Sequence, residues 1–155
     1  MNGLRLYWNK MDYRIENLEY AEIMFFCEKL GAQTPFLFAS VNLEEYVKKM
    51  SANALFITCR HNKEIVGLIS FYMNNSEYAY LTLVGVLKQF RGMRLFRKML
   101  CMLEALCFCQ DYKQMKLEVA DENALARNVY IKLGFVMERQ GPHSCFMSKF
   151  LNKDN

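Results

Sequence analysis

The chain has 155 residues, of which 53% are hydrophobic and 23% charged, and a formal net charge of +4. That length supports one domain, 1–155, with a real core, and charge spread along the chain argues against disorder. The positive excess suits an anionic ligand but is too small and dispersed to argue for nucleic acid.

In chain order, residues 13–17 read as a short strand. Residues 19–31 carry apolar side chains at helical spacing, with Gly31 as the expected stop. A turn around Pro35 follows, then a second helix over 43–50 with Asn42 as its N-cap. Three apolar runs, 54–60, 64–73 and 78–87, are separated by the short polar turns His61-Asn62-Lys63 and Asn74-Asn75-Ser76, which suit antiparallel hairpins. A basic amphipathic helix is predicted over about 92–110 and a strand over 115–120. Residues 122–133 read as a helix ending at Gly134. Strands at 135–139 and 145–151 flank Gly141-Pro142. The order β-αα-βββ-α-β-α-ββ is that of an α/β (α+β) mixed sheet with helices on both faces. The segment 78–120 is expected to be a right-handed parallel crossover.

Six cysteines, at positions 27, 59, 101, 107, 109 and 145, lie mainly in apolar runs. Cys107-Phe108-Cys109 lacks zinc-knuckle spacing, and only His61 and His143 stand by to help, so buried free thiols in a reducing cytoplasm are expected, with no metal. Residues 1–10 read as neither a signal peptide nor a membrane anchor, and no apolar run reaches about 18 residues.

Residues 81–100, LTLVGVLKQFRGMRLFRKML, run from an apolar strand through a tight turn into a helix start carrying Arg91, Arg94, Arg97 and Lys98. A helix start offers unpaired N–H groups and about half a positive charge, which makes it a seat for phosphate. Arg91-Gly92-Met93-Arg94-Leu95-Phe96, with Met99 and Leu100 behind, resembles the Arg-Gly-x-Gly-x-Gly/Ala turn of the GNAT superfamily of acyl-CoA-dependent N-acyltransferases. A second family signature, Asn, about seven residues to Tyr, then Gly-Phe, is matched by Asn123, Tyr130, Gly134 and Phe135. Arg94 stands in place of the second glycine and Phe96 in place of glycine or alanine. The likeness covers about residues 54–150.

This resemblance implies a mostly antiparallel sheet with a splayed central parallel pair, and acetyl-CoA as the cofactor. It implies that backbone groups of Val84 and Val86 pair with the pantetheine arm, with Gly85 at a bulge or close approach, and that the Val84 N–H faces the thioester carbonyl. Backbone amides of Met93, Arg94, Leu95, Phe96 and Arg97, beside Arg91 and Gly92, would hold the pyrophosphate. Asn123 either caps its helix or reaches the cofactor. Tyr130 would donate to the leaving thiolate. Reference pKa values of about 10 and 8.5 make full proton transfer uphill by roughly 2 kcal/mol.

Many relatives carry a carboxylate in the strand before the turn, where this chain reads Leu81-Thr82-Leu83, so Glu118 and Glu77 are the candidate bases, acting through water. An α-amine is about 10% neutral at pH 7 and a lysine roughly 0.04%, which favours a less basic acceptor. Thr34, Phe36, Phe38, Tyr80, Thr82 and Phe146 are the candidate acceptor-pocket residues. The expectation is a cytoplasmic N-acetyltransferase, monomer or homodimer, acting on a small-molecule amine such as an amino sugar, with neither a nucleic-acid nor a membrane partner. Its rivals are a GNAT-fold CoA-binding module without turnover and a small basic interaction domain.

Overall fold

The computed structural model describes residues 11–92 and 94–152. Residues 1–10, read above as neither leader nor anchor, and Met93, read as a pyrophosphate contact, lie outside the described residues. The elements are β1 (Met11–Glu16), α1 (Tyr20–Gln33), a single 3-10 turn (Pro35–Phe38), α2 (Leu43–Asn53), β2 (Leu55–His61), β3 (Glu64–Tyr72), β4 (Tyr78–Val86), a second 3-10 turn (Lys88–Phe90), α3 (Leu95–Cys109), β5 (Gln114–Ala120), α4 (Ala124–Lys132), β6 (Val136–Gln140) and β7 (Ser144–Phe150). The strands form one sheet in the order β1-β2-β3-β4-β5-β7-β6. β1–β2, β5–β7 and β6–β7 pair antiparallel, and β4–β5 is the parallel pair expected of the 78–120 crossover.

Local chemistry explains where the elements begin and end. α1 runs through Gly31 to Gln33, two residues beyond the expected stop. The stop is Thr34 (φ −140°), because a residue that precedes proline is pushed out of helical geometry. Gly31 serves packing instead: a Cβ there would lie 3.2 Å from the Phe38 ring. Asn42 caps α2 as expected, its Oδ1 accepting from the Glu45 N–H at 3.2 Å. Asn62 (φ 51°) and Lys63 (φ 71°) form a left-handed two-residue turn between β2 and β3. Asn75 holds the next turn, its Oδ1 accepting from the Glu77 and Tyr78 amides at 2.8 and 2.9 Å.

The chain groups into two compact units, Met1–Ser70 with Leu83–Leu103, and Phe71–Thr82 with Glu104–Asn155. In the first unit Ile23, Phe26, Leu30, Phe56, Leu68 and Met99 are fully buried, each worth about 1.5–3 kcal/mol relative to exposure. Gly67 lets Met99 close down on β3, since a Cβ would come within 3.0 Å of the Met99 methyl. Buried Arg60 on β2 bonds Glu16 through both Nη2 (2.9 Å) and Nε (3.2 Å) and reaches Glu22 of α1 at 2.9 Å. In the second unit the core is Ala79, Leu81, Met115, Leu117, Phe135, Cys145 and Met147.

All six cysteines are free thiols as expected, four of them buried, whereas Cys101 and Cys109 are exposed on α3. Among the described residues, no helix is long and apolar enough to cross a membrane.

Candidate active site

The turn after β4 is built entirely from the first unit. Leu87 N–H donates to the Val66 carbonyl at 2.9 Å, and Phe90 N–H closes the 3-10 turn onto Leu87 at 2.9 Å. Phe90 is buried and its ring lies 5.3 Å from that of His61. Arg91 points back rather than out: its Nε donates to the Val86 carbonyl at 2.9 Å and its Nη2 to Thr34 Oγ1 at 3.4 Å. The guanidinium therefore braces the end of β4 against residue 34.

Helix α3 starts at Leu95, three residues later than the sequence pattern suggests, because the backbone is left-handed at Gly92 (φ 80°) and Arg94 (φ 60°). A Cβ on Gly92 would meet nothing within 4 Å, so glycine is there for its backbone freedom and not for space. Arg94 has no such freedom, and its conformation costs on the order of 1–2 kcal/mol. The Arg94 carbonyl accepts the first intrahelical bond, from Lys98 N–H at 3.1 Å, which makes Arg94 the N-cap residue. An arginine side chain has no acceptor atom, so Arg94 cannot itself cap the first-turn amides with its side chain. No acidic side chain lies in that first turn. Leu95 is buried and anchors the helix start, whereas Arg94, Arg97 and Lys98 are exposed, the Lys98 ammonium lying 4.4 Å from the centre of the Tyr13 ring. A helix start and exposed cations, with no acidic side chain in the described first turn, are a donor set that fits a phosphate or pyrophosphate.

On β4, Val84 and Val86 are half-buried and Gly85 is buried. A Cβ on Gly85 would collide with the Leu30 side chain, so the close approach seen at this glycine is that of α1. The Val86 carbonyl already accepts from Arg91. The parallel ladder between β4 and β5 ends at Leu81↔Leu117.

The second unit carries the other signature. Asn123 Oδ1 accepts from the Ala126 N–H at 3.2 Å, so the capping alternative is the one realised for that oxygen. At the far end of α4, Gly134 N–H bonds to the Ile131 carbonyl at 3.1 Å and Phe135 N–H to the Tyr130 carbonyl at 3.0 Å. This is a Schellman closure, with Gly134 (φ 98°) as the left-handed residue. It places the Phe135 ring 5.7 Å from the Tyr130 ring. The Tyr-x-x-x-Gly-Phe spacing thus has a physical cause, since the glycine turns the chain and the phenylalanine fixes the tyrosine. Tyr130 is buried, and that burial pushes its phenol above the ordinary tyrosine value. It stays protonated at neutral pH and is a hydrogen-bond donor rather than a strong acid.

Glu118 is exposed on β5 opposite Phe146, and the Ser144 hydroxyl donates a short hydrogen bond to it. Tyr80 is half-buried, and its phenol is raised by burial and then by the Glu118 charge. Glu77 is exposed at the turn, its carbonyl accepting from Lys113 N–H at 2.9 Å. Phe146 lies under the Arg139 guanidinium, 4.1 Å from the ring centre. Thr82 is half-buried. Of the candidates in the first unit, Thr34 is bound by Arg91, Phe36 is exposed, and Phe38 lies 6.3 Å from the Tyr46 ring. The structure thus joins Thr34 to Arg91, Glu118 to Ser144 and Tyr130 to Phe135.

Two residues escaped sequence reasoning. Ser144 holds Glu118 from across a strand pair. Gln33, the last residue of α1, accepts from the Lys88 N–H at 2.7 Å and donates to the Gln89 side chain at 3.2 Å. Neither belongs to a motif, and their partners lie 26 and 55 residues away in sequence.

The sequence model described as "Acetyltransferase (GNAT) family" matches residues 18–135. No curated protein matches the sequence closely enough to count as a relative. Among solved structures, Ard1 from Thermoplasma volcanium aligns with a TM-score of 0.76 at 20% identity over 91% of this chain and 99% of its own. A GNAT-family acetyltransferase from Staphylococcus aureus Mu50 aligns at 0.77 and 17% identity over 91% and 100%. The Paia N-acetyltransferase from Thermoplasma acidophilum, solved in complex with coenzyme A, aligns at 0.70 and 16% identity over 90% and 99%. These likenesses establish a shared fold, and acetyl-CoA is the family's acyl donor. The sequence match spans most of the chain, and the chain therefore belongs to the GNAT acetyltransferase family.

Proposed function

We propose that residues 1–155 form one acetyltransferase domain that moves acetyl from acetyl-CoA directly to the primary amine of a small molecule. The observation that carries this reading is the start of α3, where a left-handed Arg94 with no acceptor atom heads the helix and exposed Arg94, Arg97 and Lys98 gather beside it. Bound acetyl-CoA supplies the acetyl group as an activated thioester. The amides of Met93 to Arg97, helped by Gly92 and the exposed cations, take the pyrophosphate, and Arg91 acts by bracing the turn. Val84 and Val86 offer backbone groups to the pantetheine arm, and the Val84 N–H is the donor assigned to the carbonyl oxygen, where negative charge grows.

Tyr130 donates a hydrogen bond to the departing sulfur. Its raised pKa widens the gap to a thiol beyond the roughly 2 kcal/mol of the reference values, so it solvates the sulfur without surrendering its proton. Glu118, held by Ser144, draws the proton from the acceptor amine through water. Thr34, Phe36, Phe38, Tyr80, Thr82 and Phe146 shape acceptor choice. A weakly basic amine, such as that of an amino sugar, suits a site whose base is a water-relayed carboxylate. The six thiols suit a reducing cytoplasm, and the product forms without a covalent enzyme intermediate, so none of them has a catalytic part.

The test is thiol release from acetyl-CoA against a panel of amino sugars, amino acids, polyamines and peptide N-termini. Turnover with a small-molecule amine is expected. Stabilisation by coenzyme A with no release across the panel would favour a binding module, the reading that Arg94 in a glycine position otherwise supports.

A further inference from the structure

We propose that Gln33 is a positioning residue that couples the pyrophosphate-binding turn to the acceptor-side segment 34–42, so that coenzyme A seated at the turn orders that segment. The proposal rests on the functional reading above. Its basis is a closed set of hydrogen bonds within the first unit. The Gln33 side-chain oxygen accepts from the Lys88 N–H at 2.7 Å, and its amide nitrogen donates to Gln89 Oε1 at 3.2 Å. The atom facing Lys88 is assigned as oxygen by chemistry, because a backbone N–H needs an acceptor. From the same turn Arg91 reaches back in the other direction, to Thr34 Oγ1 at 3.4 Å, while its Nε holds the Val86 carbonyl at 2.9 Å. Gln33 and Thr34 are consecutive, and Lys88, Gln89 and Arg91 span four positions. Two short stretches are therefore stitched together by side chains given in both directions.

The geometry has a mechanical consequence. Gln33 is the last residue of α1, so its backbone is fixed by the helix, while Thr34 opens the non-helical segment through Pro35. A turn whose backbone is held still also holds Thr34 still. All of these bonds are solvent-exposed and open readily. An anion that fixes the turn favours the closed set, and the closed set fixes the first residue of the segment. By linkage, an acceptor held by that segment favours the turn in the same measure.

Hydrogen exchange read by mass spectrometry tests this, with coenzyme A as the probe. In the unmodified protein, saturating coenzyme A should slow exchange over 34–42 several-fold. Gln33→Met, which keeps the length but removes both hydrogen bonds, should still bind coenzyme A yet lose that slowing. Gln33→Glu, which keeps an oxygen for the Lys88 N–H, should restore it. Equal protection of 34–42 in Gln33→Met and the unmodified protein would overturn the coupling. So would binding of coenzyme A that leaves 34–42 unchanged in the unmodified protein. Absence of binding to the unmodified protein would remove the functional reading itself, and the coupling with it.

Discussion

Helices α3 and α4 both follow a strand and a turn, yet their first turns are finished in opposite ways. α4 is closed by its own chain, with Asn123 Oδ1 taking the Ala126 N–H. α3 is headed by Arg94, which brings donors to a place that needs acceptors. In the proposed reaction the closed helix contributes a side chain, Tyr130, whose position is fixed at the other end by Gly134 and Phe135. In the same proposal α3 contributes its backbone. The contrast teaches that a helix headed by a residue without an acceptor suits an anion, whereas one capped by its own side chain suits a scaffold.

Four substitutions and conditions probe that contrast, in falling order of expected effect. Tyr130→Phe removes the donor that α4 is proposed to offer the sulfur, and turnover should fall on the order of 10²-fold while coenzyme A affinity stays within about twofold. Steady-state kinetics beside calorimetry checks both, and unchanged turnover would take Tyr130 out of the mechanism. Arg94→Asp closes α3 in the manner of α4, because aspartate accepts from first-turn amides and tolerates a left-handed backbone. Coenzyme A affinity should fall about tenfold or more, since about 1.4 kcal/mol is lost to competition and like charge. The same change should raise the melting temperature without ligand by about 2–4 °C. A rise in affinity would mean that Arg94 obstructs the site.

Asn123→Ala opens α4 in the opposite sense and should cost about 1 kcal/mol, a loss of about 2–4 °C, with little change in coenzyme A affinity. A tenfold loss of affinity would instead assign the Asn123 side chain to the cofactor. The smallest effect concerns pH. Burial raises the Tyr130 pKa above its ordinary value of 10.0, so the stability it contributes is fully present below pH 10 and is lost as pH rises through the folded value. Turnover should therefore show no phenol limb up to pH 10, and a limb well below that would mean that the tyrosine is an activated acid.

How much of this was legible in the sequence depended on the range of the interaction. Asn42 was readable as a cap, and Asn123 as a cap or a cofactor contact, because a cap bonds an amide three residues ahead. Gly134 was readable as a stop because the Schellman closure is equally local. The helix starts and stops that slipped did so where a neighbour's backbone overrode periodicity: Thr34 before Pro35 ended α1, and the left-handed Arg94 delayed α3. Gly85 was legible as a close approach, but only the fold supplied Leu30 as the group that approaches. Gln33 and Ser144 were invisible because a single polar residue gains its meaning from a partner brought in by tertiary structure. Arg91 was visible as a cation but not as a brace, since a guanidinium's partner cannot be read from its charge.

Calorimetric titration of the unmodified protein with coenzyme A and with pantetheine, which lacks the pyrophosphate and nucleotide, tests the role of the open α3 terminus most directly. Coenzyme A should bind at least about tenfold more tightly, because only it presents phosphate oxygens to the Leu95, Phe96 and Arg97 amides. Equal affinity for the two ligands would contradict the assignment of that helix terminus to the pyrophosphate.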